Sequence, residues 1–414
     1  MDARVNFTPP GAVRGTPAVI ASQQETSAAM KAVLFILLNL RDGAVTMRLP
    51  NGAALTFGDG AGPIVEMTVR NQAFAKRVIA DGDIGFADSF VAGEWDTPHL
   101  ADLLCFFADN AERLGRIFKG NPIARAAHWL RHLTRANTRS GSRRNIHEHY
   151  DLGNAFYSAW LDPTMTYSAA RYAASGEDLT EAQHAKYHAL ARQLDLKPGD
   201  RVLEIGCGWG GFAEIAAGEY GAHVTGLTLS TEQLAYAKAR IAKAGLADRV
   251  DLKLLDYRDV EGQFDKVASI EMFEAVGEKY WPAYFSKIAS VLKPGGKAAL
   301  QIITIRDDLF TSYRQRVDFI QRYVFPGGML PSVARLREET SAAGLRWETS
   351  DAFGGDYAKT LAEWARRFSG SWGDIRPLGF DEPFRRLWLF YLAYCEAGFR
   401  TGRTDVIQVA LAKP

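Results

Sequence analysis

Short apolar runs alternate with amphipathic stretches through the second half of the chain. Val202, Leu203 and Ile205 form a run of the kind that is buried on both faces of a sheet, and Phe212, Ile215 and Ala216 then recur at helical spacing. The same alternation predicts strands over 201–205, 223–228, 250–254, 265–270 and 297–305, with helices over 211–218, 231–244 and 280–292. Strand and helix alternating at that spacing imply parallel β-α-β units, hence a doubly wound α/β sheet. Lys293-Pro-Gly-Gly is the turn before the fifth strand. Asp405–Ala412 (DVIQVALA) reads as a late strand adding antiparallel at the edge. An inserted helical stretch, about 306–330 and ending Phe325-Pro-Gly-Gly, reads as a lid over a substrate.

The first half has a different pattern. Residues 1–27 are poor in large apolar groups and read as a disordered tail. Residues 28–112 read as a small α/β domain. It opens with the apolar run Ala32–Leu40, taken as a buried helix. Alternating runs on either side of Pro50-Asn51-Gly52 predict a β-hairpin, and Ile64–Val69 predicts a third strand. Gly82–Trp95 (GDIGFADSFVAGEW) reads as a turn-rich connection.

Composition changes this picture in one place. The 414 residues suffice for two or three domains, and a net charge of +1 leaves only local charge informative. Residues 113–147 carry nine Lys or Arg and no acid, and read as a basic helical linker before a domain over 148–414. Arg125, His128, His132, Arg135 and Arg139 fall on one helical stripe. The stripe is either a solvated face or a surface for anionic phospholipid headgroups. No recognition module accompanies it, so nucleic acid is not an expected partner. Cys105, Cys207 and Cys395 are scattered, which suggests neither a metal site nor a disulfide framework. No apolar run reaches the ~20 residues of a membrane span, so work on lipid would be done at a membrane surface.

The stretch Arg201–Ala217 (RVLEIGCGWGGFAEIAA) carries the chemistry. Gly206, Gly208, Gly210 and Gly211 let the backbone approach a ligand closely. Gly206, Gly208 and Gly211 also satisfy the dinucleotide fingerprint, but that fingerprint needs an acid at the end of the second strand. Here the strand ends Gly226-Leu227-Thr228-Leu229-Ser230, without a carboxylate. Glu204, just before the first glycine, makes the loop resemble the S-adenosylmethionine (SAM) loop of class I methyltransferases.

Five ordered phrases extend the resemblance: His149-Tyr-Asp-Leu-Gly-Asn-Ala-Phe-Tyr, Asp162-Pro-Thr-Met-Thr-Tyr-Ser, Glu204-Ile-Gly-Cys-Gly-Trp-Gly-Gly, Gly226-Leu-Thr-Leu-Ser-Thr-Glu-Gln and Phe325-Pro-Gly-Gly-Met-Leu-Pro-Ser. Together they resemble the cyclopropane fatty acid synthases and their mycolic acid methyltransferase relatives. The resemblance implies a class I methyltransferase (Rossmann-like) fold that transfers a methyl group from SAM to the double bond of an unsaturated acyl chain, usually within a phospholipid bilayer. It implies a peripheral enzyme on the cytoplasmic face of the inner membrane, and leaves a homodimer open. The implied SAM contacts are Tyr167, Ser168, Glu204, Gly206, Cys207, Gly208, Trp209, Gly210, Thr228, Leu229, Ser230 and Gln233. Beside the adenine, either Tyr257 stacks or Asp256 carries a polar contact. Phe310, Trp364, Phe368, Trp388, Phe390 and Tyr391 are among the aromatics from which an acyl channel would draw.

Methylating an alkene leaves a carbocation, and ring closure then requires loss of a proton. The resemblance implies a bound bicarbonate as base, held by a Cys, a Glu, a His, an Ile backbone group and a Tyr. On this chain the Glu is Glu274, the Tyr is Tyr357 and the Ile is Ile303, whereas the Cys position holds Ala169 and the His position Gln301. Two of five contacts are therefore altered: Gln301 still offers an amide, and the Ala169 side chain offers nothing. Either a weakly held bicarbonate or Glu274 itself takes the proton. The product is a cyclopropane or a methylene- or methyl-branched chain. A small-molecule methyltransferase and a non-catalytic lipid-binding relative are the competing readings.

Overall fold

The computed structural model describes residues 9–115, 152–173 and 176–414. They form two compact units. Among the described residues the first holds 9–115 with Arg316–Phe319 and Gly379–Thr401, and the second holds the remainder. The basic stretch therefore lies outside the described residues, apart from Arg113 and the two that follow it.

The first unit carries a five-stranded mixed sheet in the order β1-β3-β2-β4-β5, comprising Val13–Arg14, Ala44–Arg48, Ala54–Gly58, Ile64–Val69 and Trp95–Asp96 as β1 to β5. The hairpin expected around Asn51-Gly52 pairs Ala44 with Gly58 and Arg48 with Ala54. Helix Ala28–Leu37 buries Met30, Val33, Leu34 and Leu37.

Three expectations fail here. The expected disordered tail is structured from β1 onward, which pairs parallel to β3 through Val13 and Leu55. Helix Pro17–Ser22 follows, capped by the Thr16 hydroxyl with Pro17 at its first position, and it buries Ile20 completely. Backbone pairing and a cap need few apolar side chains, so composition does not reveal them. Gly82–Trp95 is mostly helix (Asp83–Val91), with Ile84, Phe86, Ala87 and Phe90 buried. Gly85 there permits close packing: a Cβ would meet the Arg77 carbonyl oxygen of the preceding helix at 2.0 Å. Helix Glu382–Arg400, expected in the C-terminal domain, packs in this unit instead. Its Phe390 ring packs at a tilt against Phe90 at 5.7 Å and Phe86 at 6.3 Å, so it belongs to this core.

The second unit has a seven-stranded sheet in the order β11-β12-β10-β9-β6-β7-β8. In chain order β6 to β12 are Arg201–Ile205, His223–Thr228, Val250–Leu254, Phe264–Ile270, Leu292–Ile305, Arg346–Ala352 and Thr404–Ala412. Strands β8, β7, β6, β9 and β10 are parallel, while β12 runs antiparallel between β10 and β11. β12 is thus interior. Its Val406–Ala412 residues are all buried, whereas β11 is polar and largely exposed, as an edge strand should be.

Both faces of the sheet are covered. Leu203, Val267 and Leu300 pack with Trp281, Tyr284, Phe285 and Ile288 on one side. Val202, Val224 and Ala299 pack with Leu190, Leu194, Phe212 and Ile241 on the other. The alternation of Val202 and Leu203 between two cores is what makes β6 a continuous apolar run. The carboxyl ends of β6, β7, β9 and β10 all lead to the same edge, the usual ligand-binding edge of such a sheet.

Candidate active site

The glycine loop leaves β6 through Gly206, Gly208 and Gly210, at φ +84°, +52° and +84°. The Gly206 and Cys207 amides both donate to the Leu227 carbonyl, at 3.0 and 2.8 Å, which ties the loop to the end of β7. A Cβ on Gly208 would meet no protein atom within 4 Å, so the loop leaves space on that side. Gly211 serves packing, since a Cβ there would press on the Tyr187 hydroxyl at 2.5 Å. Burial pushes the Cys207 thiol well above its ordinary range, so Cys207 is a small buried filler.

Around this loop the expected cofactor residues come together. Glu204 is 2% exposed, and its Oε2 has no hydrogen-bond partner. Burial pushes its carboxyl up to about 8, against the pull of Arg240 and Lys186. Trp209 Nε1 donates to Asn154 Oδ1 at 2.7 Å, and its ring lies 5.1 Å from Tyr157. Tyr167 packs on Trp364 at 5.3 Å, and the Ser168 hydroxyl accepts from Lys186 Nζ at 2.7 Å. After β7 the Thr228 hydroxyl donates to Gln233 Oε1 at 2.9 Å, and the Ser230 hydroxyl caps the helix by accepting from the Gln233 amide. Leu229 lies between Thr228 and that cap. Asp256 accepts from the Arg258 backbone amide and from its guanidinium at 2.8 and 2.6 Å, so Arg258 organises its carboxylate. Tyr257 is partly buried, edge-on to Tyr284. A glycine turn with open space, an orphaned buried carboxylate oxygen and flanking aromatics suit the carboxylate, ammonium and adenine of SAM.

The base site departs from expectation. Glu274 Oε1 does accept from the Ile303 amide, at 2.5 Å. Gln301 and Tyr357, however, converge on Glu271 at the end of β9. Oε1 of Glu271 accepts from Gln301 Nε2 at 2.7 Å and from the Ala169 amide at 2.8 Å, and Oε2 accepts from the Tyr357 hydroxyl at 2.7 Å. Ala169, whose side chain has nothing to offer, thus contributes its backbone. Bicarbonate does not fit this arrangement, because the donors expected to hold it already hold the Glu271 carboxylate.

Two more features were missed in the sequence. Lys186 is fully buried in helix Leu179–Gln193, donating to Ser168 Oγ and Gln183 Oε1. Burial pushes it down to about 7, opposed by the charges of Glu271, Asp162 and Glu204. Glu271 sits at φ +49°. The one available signal for Glu271 was a second acid in Ile270-Glu271-Met-Phe-Glu274, immediately after a buried strand. Burial raises both carboxyls, Glu274 up to about 8 with the Glu271 charge contributing. Three donors favour the ionised form of Glu271, whereas Glu274 has one donor and an Oε2 without a hydrogen-bond partner. The surroundings therefore favour the proton of this pair on Glu274.

Residues 137–409 match the profile of the mycolic acid cyclopropane synthetase family. The chain belongs to that family. It is 40% identical over 359 residues to tuberculostearic acid methyltransferase UfaA1 of Mycobacterium tuberculosis, covering 83% of this chain and 82% of that one. It is 36% identical over 365 residues to the cyclopropane-fatty-acyl-phospholipid synthase of Escherichia coli, covering 86% and 89%. Mycolic acid cyclopropane synthase CmaA1, solved with SAH and CTAB, superposes with a TM-score of 0.62 at 31% identity, covering 66% of this chain and 98% of that one. The chain is thus a SAM-dependent methyltransferase of the cyclopropane synthetase family. Among the described residues no helix is long and apolar enough to cross a membrane.

Proposed function

We propose that the chain methylates the double bond of an unsaturated acyl chain in a phospholipid, working as a peripheral protein on the cytoplasmic face of the inner membrane. One observation carries the reading: two buried carboxylates and Tyr357 stand beside an aromatic wall, close to the glycine loop. In that wall Trp364 lies 6.1 Å from Tyr357, 5.3 Å from Tyr167 and 5.7 Å from Trp160. An apolar acceptor needs apolar walls, and a developing carbocation is stabilised by ring faces.

SAM supplies an electrophilic methyl group from its sulfonium, and the alkene π pair forms the new carbon–carbon bond, leaving a cation on the neighbouring carbon. Glu204, the loop Gly206–Gly210, Tyr167, Ser168, Thr228, Leu229, Ser230, Gln233, Asp256 and Tyr257 are the residues to hold SAM. The turn after the expected lid is tied to the base site, since the Met329 amide donates to the Glu274 carbonyl at 2.8 Å. That tie supports reading the helix Asp307–Tyr313, which precedes the turn in the same unit, as a cover of the acyl site.

The altered base set favours a second product class, a methylene- or methyl-branched chain, beside the cyclopropane. Lipid mass spectrometry of cells with and without the gene, fed isotopically labelled methionine, tests the function. Label in acyl chains only when the gene is present supports it; unchanged lipids, with label in a small molecule instead, would overturn it.

A further inference from the structure

We propose that the Glu271 carboxylate is the base of this reaction, built into the chain where the family pattern places a bound bicarbonate. The inference rests on the methyl-transfer reading above.

The argument starts from the donors. Any small anion at this place is held by N–H and O–H groups, and three converge here from distant parts of the sequence: the Ala169 amide, Gln301 of β10, and Tyr357 of helix Gly354–Gly370. All three belong to positions that the resemblance assigned to bicarbonate. Their hydrogens point at the two oxygens of one side chain. Gln301 is oriented for this, because its own side-chain oxygen accepts from Nε2 of the buried Gln408 at 3.0 Å. A carboxylate and a bicarbonate present the same pair of acceptor oxygens, so Glu271 satisfies the site and excludes the free ion.

The backbone gives an independent observation. Glu271 lies at φ +49°, in the left-handed region where glycine is the favoured residue. A glutamate there costs backbone energy, and such strain persists where the surroundings over-determine it. The Glu271 amide donates to the Gln301 carbonyl at 2.8 Å, a bond that any residue would make. Only the side chain requires glutamate. Its position at the carboxyl end of β9, beside the end of β6 and its glycine loop, is where substrate and cofactor meet in such a sheet.

The chemistry balances. In the cation left by methyl transfer, a C–H bond of the new methyl group breaks and a Glu271 O–H bond forms. The C–H electron pair closes the cyclopropane ring or, after a hydride shift from the methyl-bearing carbon to its neighbour, becomes the C=C of a methylene group. Glu271 ends as a neutral acid and returns its proton to solvent between turnovers. A proton next to a carbocation is so acidic that placement matters more than basicity, and the three donors supply placement. Glu274, with its Oε1 on the Ile303 amide, keeps its own proton and leaves Glu271 as the anion.

The test uses the purified full chain, methyl-labelled SAM, and vesicles of oleoyl and vaccenoyl phosphatidylglycerol and phosphatidylethanolamine. Activity is measured in decarbonated buffer and with added bicarbonate. The unaltered chain should label lipid equally in both. Glu271→Gln should bind SAM normally by calorimetry yet label lipid at least ~100-fold more slowly, the low end for loss of a general base. Glu271→Gly, which suits the backbone and opens the anion site, should be nearly inactive without bicarbonate and regain labelling as bicarbonate is added. The base assignment is overturned if the unaltered chain needs bicarbonate, if Glu271→Gln keeps its rate, or if Glu271→Gly binds SAM but gains nothing from bicarbonate. An unaltered chain that labels no lipid while transferring methyl elsewhere overturns the lipid reading itself, a result distinct from these three.

Discussion

Nε2 of Gln301 donates to Oε1 of Glu271 at 2.7 Å. A residue expected to help hold a free anion instead holds a side chain of the same protein. Replacing Ala169 by Cys and Gln301 by His should therefore not create bicarbonate dependence while Glu271 is present. Adding Glu271→Gly to that pair should create it. Gas chromatography and mass spectrometry of the products at several bicarbonate concentrations checks both outcomes.

Gly208 combines φ +52° with empty space beyond its Cα. Gly208→Val puts a branched side chain into the space proposed for the cofactor and strains the backbone. Calorimetry should show SAM binding abolished, with circular dichroism unchanged. Retained binding would remove the glycine loop from the cofactor site.

Lys186 is the buried cation facing Glu271, Glu204 and Asp162. Lys186→Met removes positive charge from beside the base, so the Glu271 pKa must rise. The acidic limb of the pH–rate profile should then move to higher pH by roughly one unit or more. An unmoved limb with uniformly lower activity would mean that Lys186 acts only in packing.

Glu274 gives a stability prediction with a definite sign. Its pKa goes from 4.5 in the unfolded chain to about 8 in the folded one. Between those values the folded state binds the extra proton, so this group's contribution to stability falls as pH rises through that window. Glu274→Gln removes the proton-dependent contribution. Thermal melts should show the variant gaining on the unaltered chain as pH rises from 4.5 to 8. A constant gap across the window would mean that the Glu274 pKa is not raised.

Arg125, Arg135 and Arg139 lie outside the described residues, and the expectation for them comes from charge alone. If they meet anionic headgroups, each contributes ~1 kcal/mol to membrane binding, and that binding weakens with salt. Reversing all three charges should reduce binding to anionic vesicles and leave SAM affinity unchanged. Unchanged vesicle binding would reduce the stretch to a solvated linker.

The sequence by itself determined the sheet of the second unit up to β10 and the glycine turn that follows β6. Strands β6, β7 and β8 have the bounds that their apolar positions and turns predict, because residues facing the core, such as Val202 and Leu203 in β6 and Val250 and Leu252 in β8, must be apolar, and glycine is favoured where φ turns positive. Glu204 near the end of β6, Thr228 at the end of β7 and Gln233 in the following helix could be singled out for the same reason: they stand at fixed, local offsets from strand ends. Whatever depends on contacts between distant residues was decided by the tertiary structure alone. Periodicity could not place β12 inside rather than at the edge, because hydrogen-bond partners are not written in one strand's own pattern. Phe390 of Glu382–Arg400 was among the aromatics from which an acyl channel would draw but packs on Phe86 and Phe90, since hydrophobicity carries no address. Glu271 and Glu274 stand three residues apart with the same chemistry. Only the convergence of Ala169, Gln301 and Tyr357 on one of them distinguishes an anion held by three donors from a carboxyl that keeps its proton.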